Sequence, residues 1–195
     1  MEHRHPKCVG SPGSGPHTVA MMFSSSQLVP LVALTIAVIA CVTDVRTRRI
    51  PNLLTFGAAA LGVVFHGVTG GLQGLQTAVF GWLVGTAMFL PFFLLGGMGG
   101  GDVKLLAALG AWMGPGDAFW LAIYASIAGG VLAVVVALAR GYLTTAFRNL
   151  RGLLAYWSVV GPRPMASLTL EHGKAPRLAF AVPMLVGTMV TIWLR

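Results

Sequence analysis

Between Leu53 and Ala139 the chain carries only three formally charged residues, Asp102, Lys104 and Asp117. About a quarter of the residues of an ordinary soluble domain are charged, because charged side chains are the ones that stay in water. Over the whole chain, 56% of the residues are hydrophobic and only 9% are charged. Long apolar runs with so few charges are typical of membrane-spanning helices. The sequence therefore predicts an all-α, polytopic membrane protein.

Apolar windows predict a bundle of about six transmembrane helices, with a glycine-rich loop before the fourth. The predicted spans are Leu28–Thr43, Leu53–Val68, Leu75–Leu95, Val103–Met113, Ala118–Ala139 and Leu178–Leu194. The fourth is the shortest, since its residues rise only about 16–17 Å, roughly half of a hydrocarbon core. Residues 1–27, which are rich in Gly, Pro, Ser and His, are predicted to form a disordered N-terminal tail, and residues 28–195 the integral-membrane domain.

The positions of the basic residues predict the topology. The net charge is +8, but the basic residues lie between apolar runs and not along one soluble face, so nucleic-acid binding is not expected. The positive-inside rule places the N-terminus outside, since only Arg4, Lys7 and Arg195 of the thirteen basic residues then fall outside. Asp44 and Asp102 are separated by two predicted crossings. Both should therefore lie at the cytoplasmic face of the membrane.

Asp44 and Asp102 stand out among only five acidic residues. Each lies at the boundary of a predicted span, where a carboxylate is costly and indicates a function by default. Asp117 provides the contrast, because it lies in an outer turn where aspartate favours capping the following helix, and we expect no chemistry from it. Asn52 is likewise predicted to cap its helix. With two cysteines and no His-Glu-x-x-His motif, the sequence predicts no metal site.

Five of the six residues from Gly96 to Gly101 are glycines, and this segment directly precedes Asp102. A simple turn needs one or two glycines, and each additional one has an ordering cost of about 1 kcal/mol relative to alanine. Such a run is favourable where another backbone must approach closely. The downstream Lys104 has two interpretations, as an interfacial anchor or as a cation that helps to hold the Asp102 carboxylate ionised.

These segments resemble those of the type IV prepilin leader peptidases, a bacterial family within the GxGD group of intramembrane aspartyl proteases. The resemblance covers about residues 28–195, and it rests on Asp44 followed by Ile50-Pro51-Asn52, on Gly99-Gly100-Gly101-Asp102-Val103-Lys104-Leu105-Leu106-Ala107, and on Pro183 in the final span. It implies an aspartic endopeptidase of the bacterial cytoplasmic (inner) membrane, with Asp44 and Asp102 as its catalytic residues. The residues implied to contact the substrate are Gly99, Gly100, Gly101 and Lys104. No metal or other cofactor is implied.

The resemblance also implies the partners of the enzyme. Besides the lipid bilayer, these are prepilins or pseudopilins, cut after a glycine that follows a short basic leader, for type IV or Flp pilus assembly or type II-like secretion. Two carboxylates held close in a poorly solvated site share a proton, so one can activate water while the other donates to the scissile carbonyl oxygen. The sequence leaves open which aspartate begins as the base.

The chain departs from the long members of this family, because it lacks their cytoplasmic insertion with paired cysteines and their N-methyltransferase region. It resembles instead the short, peptidase-only branch associated with tight-adherence pili, and N-methylation is not expected. An alternative is a transporter or channel in which Asp44 and Asp102 bind a cation or relay protons. The basic cluster Arg46, Arg48 and Arg49 disfavours that alternative, because it would repel a cation.

Overall fold

The computed structural model describes residues 16–141 and 179–195, together with scattered positions between 143 and 161, and it describes side chains from residue 27 onward. The described part of the chain contains no strand, which confirms the predicted all-α fold. The helices with defined bounds are α1 (Pro16–Thr47), α2 (Asn52–Leu94), α3 (Gly100–Met113), α4 (Pro115–Ala139) and α5 (Ala181–Trp193).

Three of these helices contain a stretch that is long and apolar enough to cross a membrane: Gln27–Thr47 of α1, Asn52–Leu94 and Pro115–Ala139. The 14 residues of α3 and the 13 of α5 make shorter helices. The predicted count of six spans is therefore not confirmed, while the membrane character of the helices is.

The long helix α2 is a hairpin of two helical arms, residues 52–70 and 72–94. Gly71 separates them with a φ of 58° and a ψ of −142°, in a region that favours glycine. The first arm runs alongside α3, since the Trp112 indole Nε1 donates a hydrogen bond of 2.7 Å to the Ala58 carbonyl. The second arm returns along α3, with Gly81 against the backbone of Gly110. The arms correspond to the second and third predicted spans.

The short helix α3 is the centre of the bundle. Every residue from Leu105 to Met113 is buried, and α3 packs against α1, both arms of α2, and α4. Glycines bring the backbones together, because a Cβ at Gly85 would lie 2.6 Å from the Leu106 carbonyl oxygen. With 14 residues, α3 is roughly 21 Å long, and it can be shorter than the hydrocarbon core because other helices surround it.

Helix α1 begins at Pro16, within the predicted tail. Proline is favourable in the first turn of a helix, since the missing N–H has no intrahelical partner there, and Met21, Met22 and Phe23 extend the apolar sequence upstream. The boundary at residue 27 is thus not the start of the helix. Residues 1–15 lie outside the described residues, so the disordered tail stays a prediction.

Candidate active site

Asp44 lies in the last turn of α1 and is buried, with 8% of its surface exposed. A carboxylate at the C-terminal end of a helix is unfavourable, because the carbonyl end of the helix dipole is negative. The structure compensates from another helix: the backbone N–H of Ala181, the first residue of α5, donates to Asp44 Oδ2 at 3.3 Å. Two helices far apart in sequence therefore fix this carboxylate.

The start of α5 is held in place by Phe180. Its ring packs edge-on against Phe89, with 5.7 Å between the centroids and an interplanar angle of 75°. It also covers Gly129 of α4, where a Cβ would lie only 2.6 Å from Phe180 Cε2. Sequence reasoning missed Phe180 and Ala181. A backbone donor leaves no side-chain signature, and only Pro183 had drawn attention to this segment.

Asp102 is in the first turn of α3, where an acid interacts favourably with the positive end of the helix. Its backbone N–H donates to the Gly99 carbonyl at 3.1 Å, and its carboxylate accepts a hydrogen bond from the Gly99 backbone. Burial, and secondarily the charge of Asp44, raise the pKa of Asp102 to about 7, against the opposing effect of the Gly99 hydrogen bond. The structure therefore brings the two predicted catalytic carboxylates close enough to interact.

The glycines before Asp102 make close internal contacts. A Cβ at Gly99 would lie 3.2 Å from Asp102 Oδ2, and one at Gly100 would lie 3.2 Å from the ring of Phe93. A Cβ at Gly101 would lie 3.4 Å from Ile50 Cβ, in the connection between α1 and α2. The neighbours of these glycines within the molecule are thus side chains, and the close approach of another backbone stays a prediction. Substrate contacts by Gly99, Gly100 and Gly101 stay a prediction.

Lys104 reaches the start of α2. Its Nζ donates to Asn52 Oδ1 at 3.1 Å and lies 5.1 Å from the centroid of the Phe56 ring. The predicted helix cap at Asn52 is wrong: Pro51 is the capping residue, without a side-chain hydrogen bond, and Asn52 is already the first helical residue. Its side chain is therefore free to accept from Lys104. A substrate contact by Lys104 is untested.

Asp117 and Arg195 mark the opposite end of the bundle, beside the C-terminal end of α3. Arg195 Nη1 lies 2.8 Å from Asp117 Oδ2. The predicted cap at Asp117 is wrong, because Gly114 precedes α4 and no side chain caps it. A cavity of about 500 Å³ opens at this end, lined by Arg195, Met113 and His66 among others. We call this end of the bundle the Arg195 end, and we call the opposite end, which contains Asp44 and Asp102, the dyad end.

Within the described residues, no three His, Cys, Asp or Glu side chains group in a way that could hold a metal ion.

The dyad end presents two interacting carboxylates on neighbouring helices of an apolar bundle. The chain belongs to the type IV leader peptidase family, whose sequence model matches residues 31–134, more than half of the chain. The match includes both Asp44 and Asp102.

Several curated proteins are similar to the chain. The prepilin leader peptidase/N-methyltransferase of Neisseria gonorrhoeae is 37% identical over 106 residues, which are 50% of this chain and 36% of that protein. The protein of the same name from Pectobacterium carotovorum is 32% identical over 131 residues, 62% of this chain and 42% of its own length. That of Escherichia coli K12 is 37% identical over 112 residues, 53% of this chain and 49% of its own length.

The chain thus spans less than half the length of these relatives. No solved structure gives a significant match.

Proposed function

We propose that the protein is an aspartic endopeptidase that removes the leader from prepilins or pseudopilins. The observation that carries this proposal is the pairing of Asp44 with Asp102 at one end of a bundle that belongs to the leader peptidase family. The relatives named for prepilin processing support the same substrate class. Gly99, Gly100 and Gly101 would then form the edge along which the substrate backbone lies.

The two carboxylates divide the work of hydrolysis between them. Asp102, whose pKa is raised to about 7, holds the shared proton near neutral pH and donates it to the scissile carbonyl oxygen. Asp44, which accepts the Ala181 N–H, takes a proton from the attacking water. When the tetrahedral intermediate collapses, the leaving amine takes the proton that Asp44 accepted, and Asp102 takes a proton back from a hydroxyl group of the intermediate, so the pair returns to its singly protonated state. No step requires a metal ion.

The dyad end faces the cytoplasm of a bacterial inner membrane in this proposal. The exposed residues Arg46, Arg48 and Arg49 follow Asp44, as the positive-inside rule favours for a cytoplasmic connection. A substrate with a basic leader and a hydrophobic helix would lodge in the same membrane with its cleavage point at this face. Anionic lipid headgroups attract such a leader.

The finer assignment is a peptidase of the tight-adherence type without N-methyltransferase activity. The chain contains two cysteines, Cys8 and Cys41, and no Cys-x-x-Cys pair. Incubating the purified protein with a cleaved pilin and labelled S-adenosylmethionine tests this assignment. Transfer of the label to the pilin N-terminus would contradict it.

Cleavage of a co-expressed prepilin tests the central proposal. We expect Asp44→Asn and Asp102→Asn each to lower the cleavage rate by at least about 100-fold, because each removes one half of the proton transfer. Protein level and circular dichroism should stay unchanged. Cleavage at the wild-type rate in either variant would remove that aspartate from the catalytic pair.

The transporter alternative is not supported, since the family and the relatives described above are named for leader processing. It makes a separate prediction, namely an ion flux into proteoliposomes that depends on both aspartates. We expect no such flux.

A further inference from the structure

We propose that Asn52 and Lys104 are positioning residues, whose hydrogen bond clamps the start of α2 to the first turn of α3 and so fixes Asp102 relative to Asp44. This inference rests on the proposed function, because it assumes that Asp102 takes part in cleavage. It assigns Lys104 a role within the protein, whereas the family resemblance implied a contact with the substrate.

The clamp consists of three side chains. The Lys104 ammonium group donates to Asn52 Oδ1 at 3.1 Å, and the Phe56 ring lies beneath it at 5.1 Å from the ring centroid. Asn52 and Phe56 are one turn apart on α2, so they face the same neighbour. A charged donor makes this hydrogen bond stronger than a neutral one, and the aromatic face adds attraction for the cation.

The clamp closes a ring of contacts around the two aspartates. From Asp44, the backbone carbonyl accepts the Arg48 N–H at 2.7 Å, and the chain turns at Arg48 with a φ of 53°. Ile50 then lies against Gly101. From Asn52 the hydrogen bond leads to Lys104, two residues beyond Asp102. Although the hydrogen bond itself is exposed, it completes a connection between the segments that carry the two carboxylates.

The charge of Lys104 favours positioning over substrate binding. A basic leader would be repelled by an ammonium group at the dyad end, so Lys104 is poorly suited to attract it. Within the described residues, the side-chain acceptor that Lys104 reaches is Asn52 and not Asp102. Its contacts therefore serve the junction of α2 and α3.

The test compares kcat and KM for prepilin cleavage in purified variants. We expect Lys104→Met and Asn52→Leu, which keep side-chain bulk but remove the hydrogen bond, to lower kcat by about 10- to 100-fold with KM unchanged, because small misplacements of a catalytic group have effects of this size. Asn52→Asp keeps the acceptor oxygen and should stay within about 3-fold of the wild type. The double variant should be no slower than the slower single variant, since both remove one interaction.

A rise in KM at constant kcat for Lys104→Met would overturn the inference in favour of substrate binding. Losses that multiply in the double variant would overturn the coupling of the two residues.

A second measurement does not depend on cleavage. Spin labels at Leu53→Cys and Gly97→Cys, with Cys8 and Cys41 replaced by serine, report the distance between the start of α2 and the loop before α3. Residue 53 is exposed, and a Cβ at position 97 makes only an ordinary contact with Phe92.

The distance distribution should broaden with Lys104→Met and Asn52→Leu but not with Asn52→Asp. An unchanged distance distribution in all three variants would contradict the proposed positioning role of Asn52 and Lys104. If the wild type fails to cleave prepilin while the distribution still broadens, the proposed function fails and the clamp stands.

Discussion

The two ends of the bundle treat their acidic residues differently. At the Arg195 end, Asp117 is neutralised by a guanidinium group at 2.8 Å, and the pair is partly exposed. At the dyad end, Asp44 and Asp102 are held by backbone N–H groups, and no Lys or Arg of the described residues forms an ion pair with either. A cation would stabilise these carboxylates, but it would also hold both in the ionised form. Backbone donors fix their positions and leave a proton available for transfer.

The largest effect on cleavage should come from a bulky side chain placed between Gly101 and the α1–α2 connection. We expect Gly101→Leu to lower cleavage by at least about 100-fold, because the side chain must displace Ile50 and a misplacement of about 1 Å can have this effect. Gly116→Leu at the Arg195 end is the matched control, since a Cβ there meets nothing within 4 Å. Cleavage is measured from the change in prepilin mobility on a denaturing gel. Equal cleavage by the two variants would contradict the prediction that only the dyad end is sensitive to such a substitution.

Disturbing the contact between α5 and Asp44 should have a smaller effect on the cleavage rate. Gly129→Ala places a methyl group against Phe180, which moves the start of α5 and lengthens the hydrogen bond from Ala181 to Asp44. We expect cleavage to fall about 10-fold. Gly130→Ala changes the neighbouring residue, where a Cβ meets nothing, and should leave the rate unchanged. If both variants cleave at the wild-type rate, α5 does not position Asp44.

The raised pKa of Asp102 should make folding stability depend on pH. The folded state holds this proton up to about pH 7, whereas the unfolded chain releases it near the ordinary value of 3.8, so wild-type stability falls as the pH rises between these values. The Asp102→Asn variant has no titrating group at this position, so its stability does not fall in this way. Its melting temperature relative to the wild type should therefore increase between about pH 4 and pH 8. A constant difference across that range, measured in detergent, would show that Asp102 is not perturbed.

The smallest effect should come from removing the ion pair between Asp117 and Arg195. Asp117→Asn should lower the free energy of unfolding by only about 0–1 kcal/mol, because partly exposed ion pairs contribute little, and it should leave cleavage unchanged. High salt should reduce even this difference. A loss of cleavage comparable to that of Asp44→Asn would mean that the two ends are functionally connected.

Side-chain charge and hydropathy carried much of the information about this molecule. The few charges between Leu53 and Ala139 predicted the all-α membrane bundle, and counting crossings placed Asp44 and Asp102 at one end, where the structure has them. Helix number was harder to predict, because a short apolar run such as α3 is compatible with either a span or a buried helix.

The missing parts of the site are contacts that a sequence does not express. The Ala181 N–H is present in any non-proline residue, so nothing distinguishes it before folding. Asn52 and Lys104 are far apart in the chain, and each has a sufficient local explanation, one as a cap and the other as an anchor. Only the parallel course of α3 and the first arm of α2 brings them together.

The enclosure of α3 determines how the surrounding lipid can act on the site. A helix that spans the bilayer tilts or distorts when the hydrocarbon thickness changes. Helix α3 is surrounded by protein, so the lipid acts on its length and tilt only through the neighbouring helices. Asp102 therefore meets the lipid only indirectly, whereas Asp44 stands on a helix that is itself long enough to cross the membrane. We therefore expect a change in lipid thickness to act on the site mainly by moving Asp44 relative to Asp102.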